Sequence, residues 1–293
     1  MKLETKAQIF PFKLAGVAGF SWGNQSPHAP LVLCLHGWLD NANSFLPLAQ
    51  LSSANGPMRF LAIDFAGHGQ SDWRHEAHQY YFVDYVADVI ALLNKLGVSS
   101  CHIIGHSMGA LVASVLASCF PERVKSLSLI DGIGLMHSEA SNARSLLRTS
   151  IMQRENLKLK QAKLFPSKRD VVLARKAVSD LSEEHIEMLM DRSIVETNDG
   201  AYLRSDPKLK ISSPFRYTQL QAKALLLIEA PTLLVLGKQG YPEMKAALIK
   251  FQDNYHSLQT IEIDGGHHCH IESPCTTYEH ISHHISANNR CEL

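Results

Sequence analysis

The chain has 293 residues, enough for one large α/β domain or for a core carrying an insertion. Its 45% apolar content supports a sizeable core, and 19% charged residues is ordinary for a globular protein. Basic and acidic residues number 28 each, with no basic stripe or acidic tail, which argues against nucleic-acid and anionic-membrane partners.

The first apolar stretch, "IFPFKLAGVAGF", is broken by Pro11 and Lys13, and Glu4 stands where a secretory leader needs a basic residue. It reads instead as two short strands with Ala15 and Gly16 near the turn. "PLVLCLHG" (30–37) and "RFLAIDFAGHGQSD" (59–72) are buried strands, the second ending in a turn-rich loop. "FVDYVADVIALLNKLG" has apolar residues at helical spacing and stops at Gly97. "CHIIGHSMGALVASVLASCFPERV" is a strand, a glycine-flanked turn and an apolar helix ended by Pro121, and "VKSLSLIDGIG" is a further strand. From Leu135 to Lys223 strand patterns give way to charged helical segments. Strands return at 229–237 and 258–266, and a final helix starts near Thr276.

Strands alternating with helices imply a mostly parallel sheet covered by helices. The expected organisation is an α/β core, 1–134 and 224–293, interrupted by a helical cap, 135–223. No run has the length of a transmembrane helix. The six cysteines have no CxxC spacing, and Cys34 and Cys101 lie inside strand patterns, as small core residues do in a reducing compartment. A cytoplasmic monomer or homodimer is expected.

"GHSMG" (105–109) fits G-x-S-x-G between an apolar strand and an apolar helix. A nucleophile in so sharp a turn needs small neighbours where the backbone crowds, and Gly105 and Gly109 provide them. Ser107 is the candidate nucleophile. Developing negative charge at a carbonyl needs two N–H donors: Met108, next after the serine, and Trp38 in "HGWLD" after an earlier strand. The general base must be a histidine at the same sheet edge. Among 16 histidines, position selects His267, directly after Gly265 and Gly266 on the loop following the last strand.

Four consecutive residues, His267 to His270, converge poorly on one ion, so a metal reading is set aside. His280, His283 and His284 share a helix face and read as solvated. His68 and His106 read as turn and packing residues. No dinucleotide or Walker pattern is present, and nothing calls for a cofactor.

"HGW", then "D-x-x-G-H-G-x-S-D" at Asp64 to Asp72, then "GHSMG", then "GGHHCHIESP" resemble, in that order, the α/β-hydrolase fold family. "LHGWLDNANSF" and "YLRSDPKLKISSPFR" resemble its serine hydrolase-like proteins. The resemblance implies eight mostly parallel strands and a helical cap inserted after the sixth. A serine at the elbow, where haloalkane dehalogenases and epoxide hydrolases of similar architecture use Asp, implies an acyl-enzyme. The family commonly carries its triad acid after the penultimate strand, yet "GKQGYPEM" there offers only Glu243, which also suits the first turn of a helix. Asp131 competes. A right-handed crossover sets its strand beside the elbow strand, and some family members carry the acid there. Asp131 is the first choice and Glu243 the reserve. Met136, Leu146, Leu147, Phe165, Met188 and Leu189 would shape a pocket or pack the cap. The expected activity is hydrolysis of a small or medium ester, thioester or lactone. A fold-sharing protein that binds without turnover, or a cofactor-free perhydrolase, are the alternatives.

Overall fold

A computed structural model describes residues 8–52, 56–158, 163–179 and 181–289. Eight strands form one sheet: β1 (Phe10–Leu14), β2 (Val17–Gly23), β3 (Leu31–Leu35), β4 (Arg59–Ile63), β5 (Cys101–His106), β6 (Val124–Ile130), β9 (Thr232–Gly237) and β10 (Leu258–Ile263). Their order is β1-β2-β4-β3-β5-β6-β9-β10. From β4 onwards all neighbours are parallel, while β1 and β2 form an antiparallel hairpin at one edge. The hairpin turns through two residues, Ala15 and Gly16, at φ 50 and 84, the positive values that a tight hairpin turn requires.

β3, β5 and β9 are buried along their whole length because helices cover both faces of the sheet. Alternate side chains serve opposite layers. On one face Leu33, Ile103 and Leu234 pack against α2 (Phe82–Lys95) and α3 (Met108–Cys119). On the other, Cys34, Ile104 and Val235 meet Leu48 of α1 (Leu46–Leu51) and Ile281 and Ile285 of α10 (Pro274–Asn288). Cys34 and Cys101 are both buried and free. Among the described residues, no helix is long and apolar enough to cross a membrane.

After β6 the chain leaves the sheet. α4 (Ala143–Lys158), α5 (Lys168–Lys176) and α6 (Glu183–Met190) follow, then a two-stranded hairpin of β7 (Ile194–Thr197) and β8 (Gly200–Leu203). The sequence reading has no strand here, so the hairpin is a correction. α7 (Gln219–Leu225) spans the expected boundary at 223, and its Ala222 packs into the first core layer. Val171, Val172, Ile186, Leu189 and Met190 form a separate cluster that receives Ile271 from α9 (Cys269–Glu272). Phe165, Met188 and Leu189 therefore pack within the inserted segment, whereas Met136 and Leu147 are exposed.

Polar ties fix the insertion to the loops at the C-terminal ends of β3 and β4. Asn41 Nδ2 donates to Leu189 O at 2.7 Å and to Ser193 Oγ at 2.8 Å. Arg192 Nε donates to Asp64 Oδ2 at 2.7 Å, and Asp64 also accepts from the amides of Ala42 and Gln70, each at 2.8 Å. Fully buried Asp64 thus joins three segments with its charge compensated. α8 (Pro242–Phe251) connects β9 to β10.

Candidate active site

The chain steps from β3 to β4 on one side and then to β5 on the other, so the loops after β3 and β5 face each other at a topological switch point. Open parallel sheets bind ligands at such crevices. Ser107 lies there, between β5 and α3, at φ 50 and ψ −116. A non-glycine residue in that region carries strain, as a nucleophile held on a sharp strand-to-helix turn does. Both flanking glycines are required. A Cβ on Gly109 would stand 2.1 Å from Leu35 O, and one on Gly105 would stand 2.7 Å from Ala110 N.

His267 reaches this turn from the loop after β10. That loop is held by Gly265 N–H on Gln239 Oε1 at 2.8 Å and Gly266 N–H on Glu272 Oε2 at 2.6 Å. His267 Nε2 stands 2.9 Å from Ser107 Oγ, and His267 Nδ1 stands 2.5 Å from Asp131 Oδ2. A carboxylate only accepts, so Nδ1 carries the proton and the Nε2 lone pair faces the serine hydroxyl. Asp131 follows β6 directly at φ 40, and its amide donates to Val235 O at 2.8 Å. Its other carboxylate oxygen accepts from Gly237 N at 3.3 Å. Side-chain exposure is 11% for His267 and 1% for Asp131, so water competes little for their contact. Glu243 is exposed in the first turn of α8. Of the two candidate acids, the fold brings only Asp131 to His267. Asp264 turns outward to Lys238.

Trp38 follows β3 and Met108 opens α3. Because β3 and β5 pair with Leu35 opposite Gly105, both amides lie at the serine's end of the sheet. The first amides of a helix have no intrahelical acceptor, which frees Met108 N–H for a ligand. The Trp38 ring is half exposed and donates from Nε1 to Leu209 O of the inserted segment at 3.2 Å.

Tyr241 is a contact that sequence reasoning missed: its ring centroid lies 4.5 Å from that of His267. The only signal was its place in the loop after β9. His36 is buried, and desolvation lowers its pKa to about 4; it accepts the Phe65 amide at 2.9 Å. Burial likewise lowers His68 to about 3. His280 and His283 are exposed as expected, but His284 is buried with Nε2 3.2 Å from Pro231 O, a correction to the solvated reading. A groove of about 630 Å³ lined by Asn43, Leu46, Lys168, Val172 and Met188 shares no residue with the Ser–His–Asp cluster.

A family model described as alpha/beta hydrolase fold matches residues 30–274. The chain belongs to the α/β-hydrolase fold family. Within it the chain groups with serine hydrolase-like proteins. It is 30% identical over 293 residues to serine hydrolase-like protein 2 of Homo sapiens, covering 94% of this chain and 91% of the relative. Among solved structures, a hypothetical protein from Pseudomonas aeruginosa PAO1 superposes with TM-score 0.81 at 31% identity, covering 97% of this chain and 99% of that one. A thioesterase domain from the curacin biosynthetic pathway superposes with TM-score 0.77 at 26% identity, covering 95% of this chain and all of that one. The α/β-hydrolase architecture with its insertion after the sixth strand is thus common to sequence pattern and fold, and the chain is a serine hydrolase-like hydrolase.

Proposed function

We propose that the protein cleaves small or medium carboxylic esters or thioesters through an acyl-enzyme on Ser107. The observation that carries this reading is the unbroken series Ser107 Oγ, His267 Nε2, His267 Nδ1, Asp131 Oδ2, with contacts of 2.9 and 2.5 Å. Ser107 Oγ attacks the carbonyl carbon while His267 Nε2 takes the hydroxyl proton. Asp131 orients the ring and stabilises the imidazolium. The amides of Trp38 and Met108 receive the oxyanion. His267 returns the proton to the leaving oxygen or sulfur, then deprotonates a water that releases the acid and restores Ser107. Residues 135–223 act as a cap that shapes the acyl pocket. Similarity to a domain named a thioesterase supports keeping thioesters, already expected from the sequence, in that range.

A non-catalytic binding role drew its sequence support from the lack of an acid after β9, and Asp131 beside His267 removes that motive. Labelling with a fluorophosphonate probe, with turnover of nitrophenyl acetate and an acyl thioester, tests the proposal. Wild type should label and turn over at least one of them, and Ser107→Ala should do neither. An unlabelled, inert wild type would overturn it.

A further inference from the structure

Three groups that the proposed reaction does not use gather beside it. Asp40 lies in the loop after β3, His106 directly precedes Ser107, and His268 directly follows His267. All are buried, and one donor atom from each lies within 4.8 Å of the other two. Asp40 Oδ2 stands 3.1 Å from His268 Nε2 and 3.6 Å from His106 Nδ1.

The protonation of His106 follows from its partners. Its Nε2 lies 2.9 Å from the His267 carbonyl oxygen, which only accepts, so Nε2 carries the proton. Nδ1 is then a lone pair, without a hydrogen-bond partner among the described residues, aimed at a carboxylate in the interior. Arg175 reaches only the other oxygen of Asp40, at 3.3 Å. Gly37 leaves the floor of the gap open: a Cβ there would stand 2.9 Å from both Asp40 Oδ2 and His106 Nδ1.

We infer that Asp40, His106 and His268 form a site for a divalent transition cation of the Zn²⁺ or Cu²⁺ type, whose binding slows turnover at Ser107. Two imidazole nitrogens and one carboxylate oxygen are the donors such ions prefer. Ligand bonds of about 2.0–2.2 Å set tetrahedral ligands about 3.3 Å apart, close to the two separations to Asp40. His268 joins by moving its proton from Nε2 to Nδ1, so the ring stays neutral. Water completes the coordination. His106 and His268 are the covalent neighbours of Ser107 and His267, and drawing both rings onto an ion displaces the pair that must meet at 2.9 Å. The inhibitory half rests on the proposed hydrolase reading; the binding half does not.

The test is calorimetric titration of Zn²⁺ into the metal-free full chain, for wild type, Asp40→Asn, His268→Gln and Arg175→Gln, with Cu²⁺ paramagnetic resonance on wild type. One ion per chain is expected, with affinity weaker by about tenfold or more in the first two variants. Arg175→Gln should bind tighter by about tenfold, because a competing cation is removed from Asp40. The Cu²⁺ spectrum should show coupling to two nitrogens, and turnover should fall with the calorimetric midpoint and return with EDTA. Lack of binding at micromolar Zn²⁺, or equal binding in wild type and all folded variants, would overturn the site. Should a variant fail to fold, a Cu²⁺ spectrum without two-nitrogen coupling overturns it independently. Binding as expected with unchanged turnover overturns the inhibitory half alone. A metal-free wild type without hydrolysis overturns the hydrolase reading and leaves calorimetry to judge the site.

Discussion

Replacing Asp131 by Asn removes one charge and changes little in shape. Asp131 is 1% exposed and 2.5 Å from His267 Nδ1, so no solvent takes its place. When His267 accepts the Ser107 proton, the carboxylate stabilises a full imidazolium. Two unit charges about 4 Å apart interact by about 4 kcal/mol at an effective dielectric of 20, roughly a thousandfold in rate. The Asn amide can also donate to Nδ1, which moves the ring proton to Nε2 and turns the base away from Ser107. Together these predict a loss of about 10⁴ in kcat, the scale known for an acid-to-amide change in a serine protease triad. Glu243→Gln, at an exposed position, should stay within about twofold of wild type. Nitrophenyl-ester kinetics on both variants, with folding checked by circular dichroism, measures this. A loss below tenfold in Asp131→Asn, or equal losses in the two variants, would refute the reasoning.

Tyr241→Ala should lower kcat/KM by about 2- to 30-fold and Tyr241→Phe should not, because a ring facing an imidazolium contributes about 0.5–2 kcal/mol; the same assay reads it. Gly109→Ala, whose new Cβ meets Leu35 O, should destabilise the fold by about 1–3 kcal/mol and lower activity; urea denaturation and turnover of the variant measure both. His36 and His106 have folded pKa values near 4, below the unfolded value of 6.5. The unfolded chain therefore binds more protons between these values, so their stabilisation is complete above pH 6.5 and is lost as pH falls towards 4. One such ring contributes about 3 kcal/mol, and Tm should drop steeply across that window; a flat Tm would contradict the burial argument.

The main elements were legible because their signals are local. Glycines around Ser107, the all-apolar runs of β3 and β5, and glycines before His267 each announce a backbone requirement within a few residues. Asp131 was reachable by topology, since the strand after the elbow strand ends at the same edge. The β7–β8 hairpin was missed because strands of four residues carry little alternation, although "TNDG" at its turn was a usable signal. Tyr241 on His267, and Asp40 with His106 and His268, were not legible. Each joins segments far apart in sequence, and no local pattern reports which side chains a sheet edge will bring together. The burial of His284 was missed because a helix-face pattern does not say which neighbour covers it.

The most direct test of the central claim is mass spectrometry of the protein quenched during turnover of an activated ester. The expected result is one acyl group, located on the peptide containing Ser107 and absent in Ser107→Ala. Turnover that continues without an acyl group on Ser107 would contradict the acyl-enzyme mechanism.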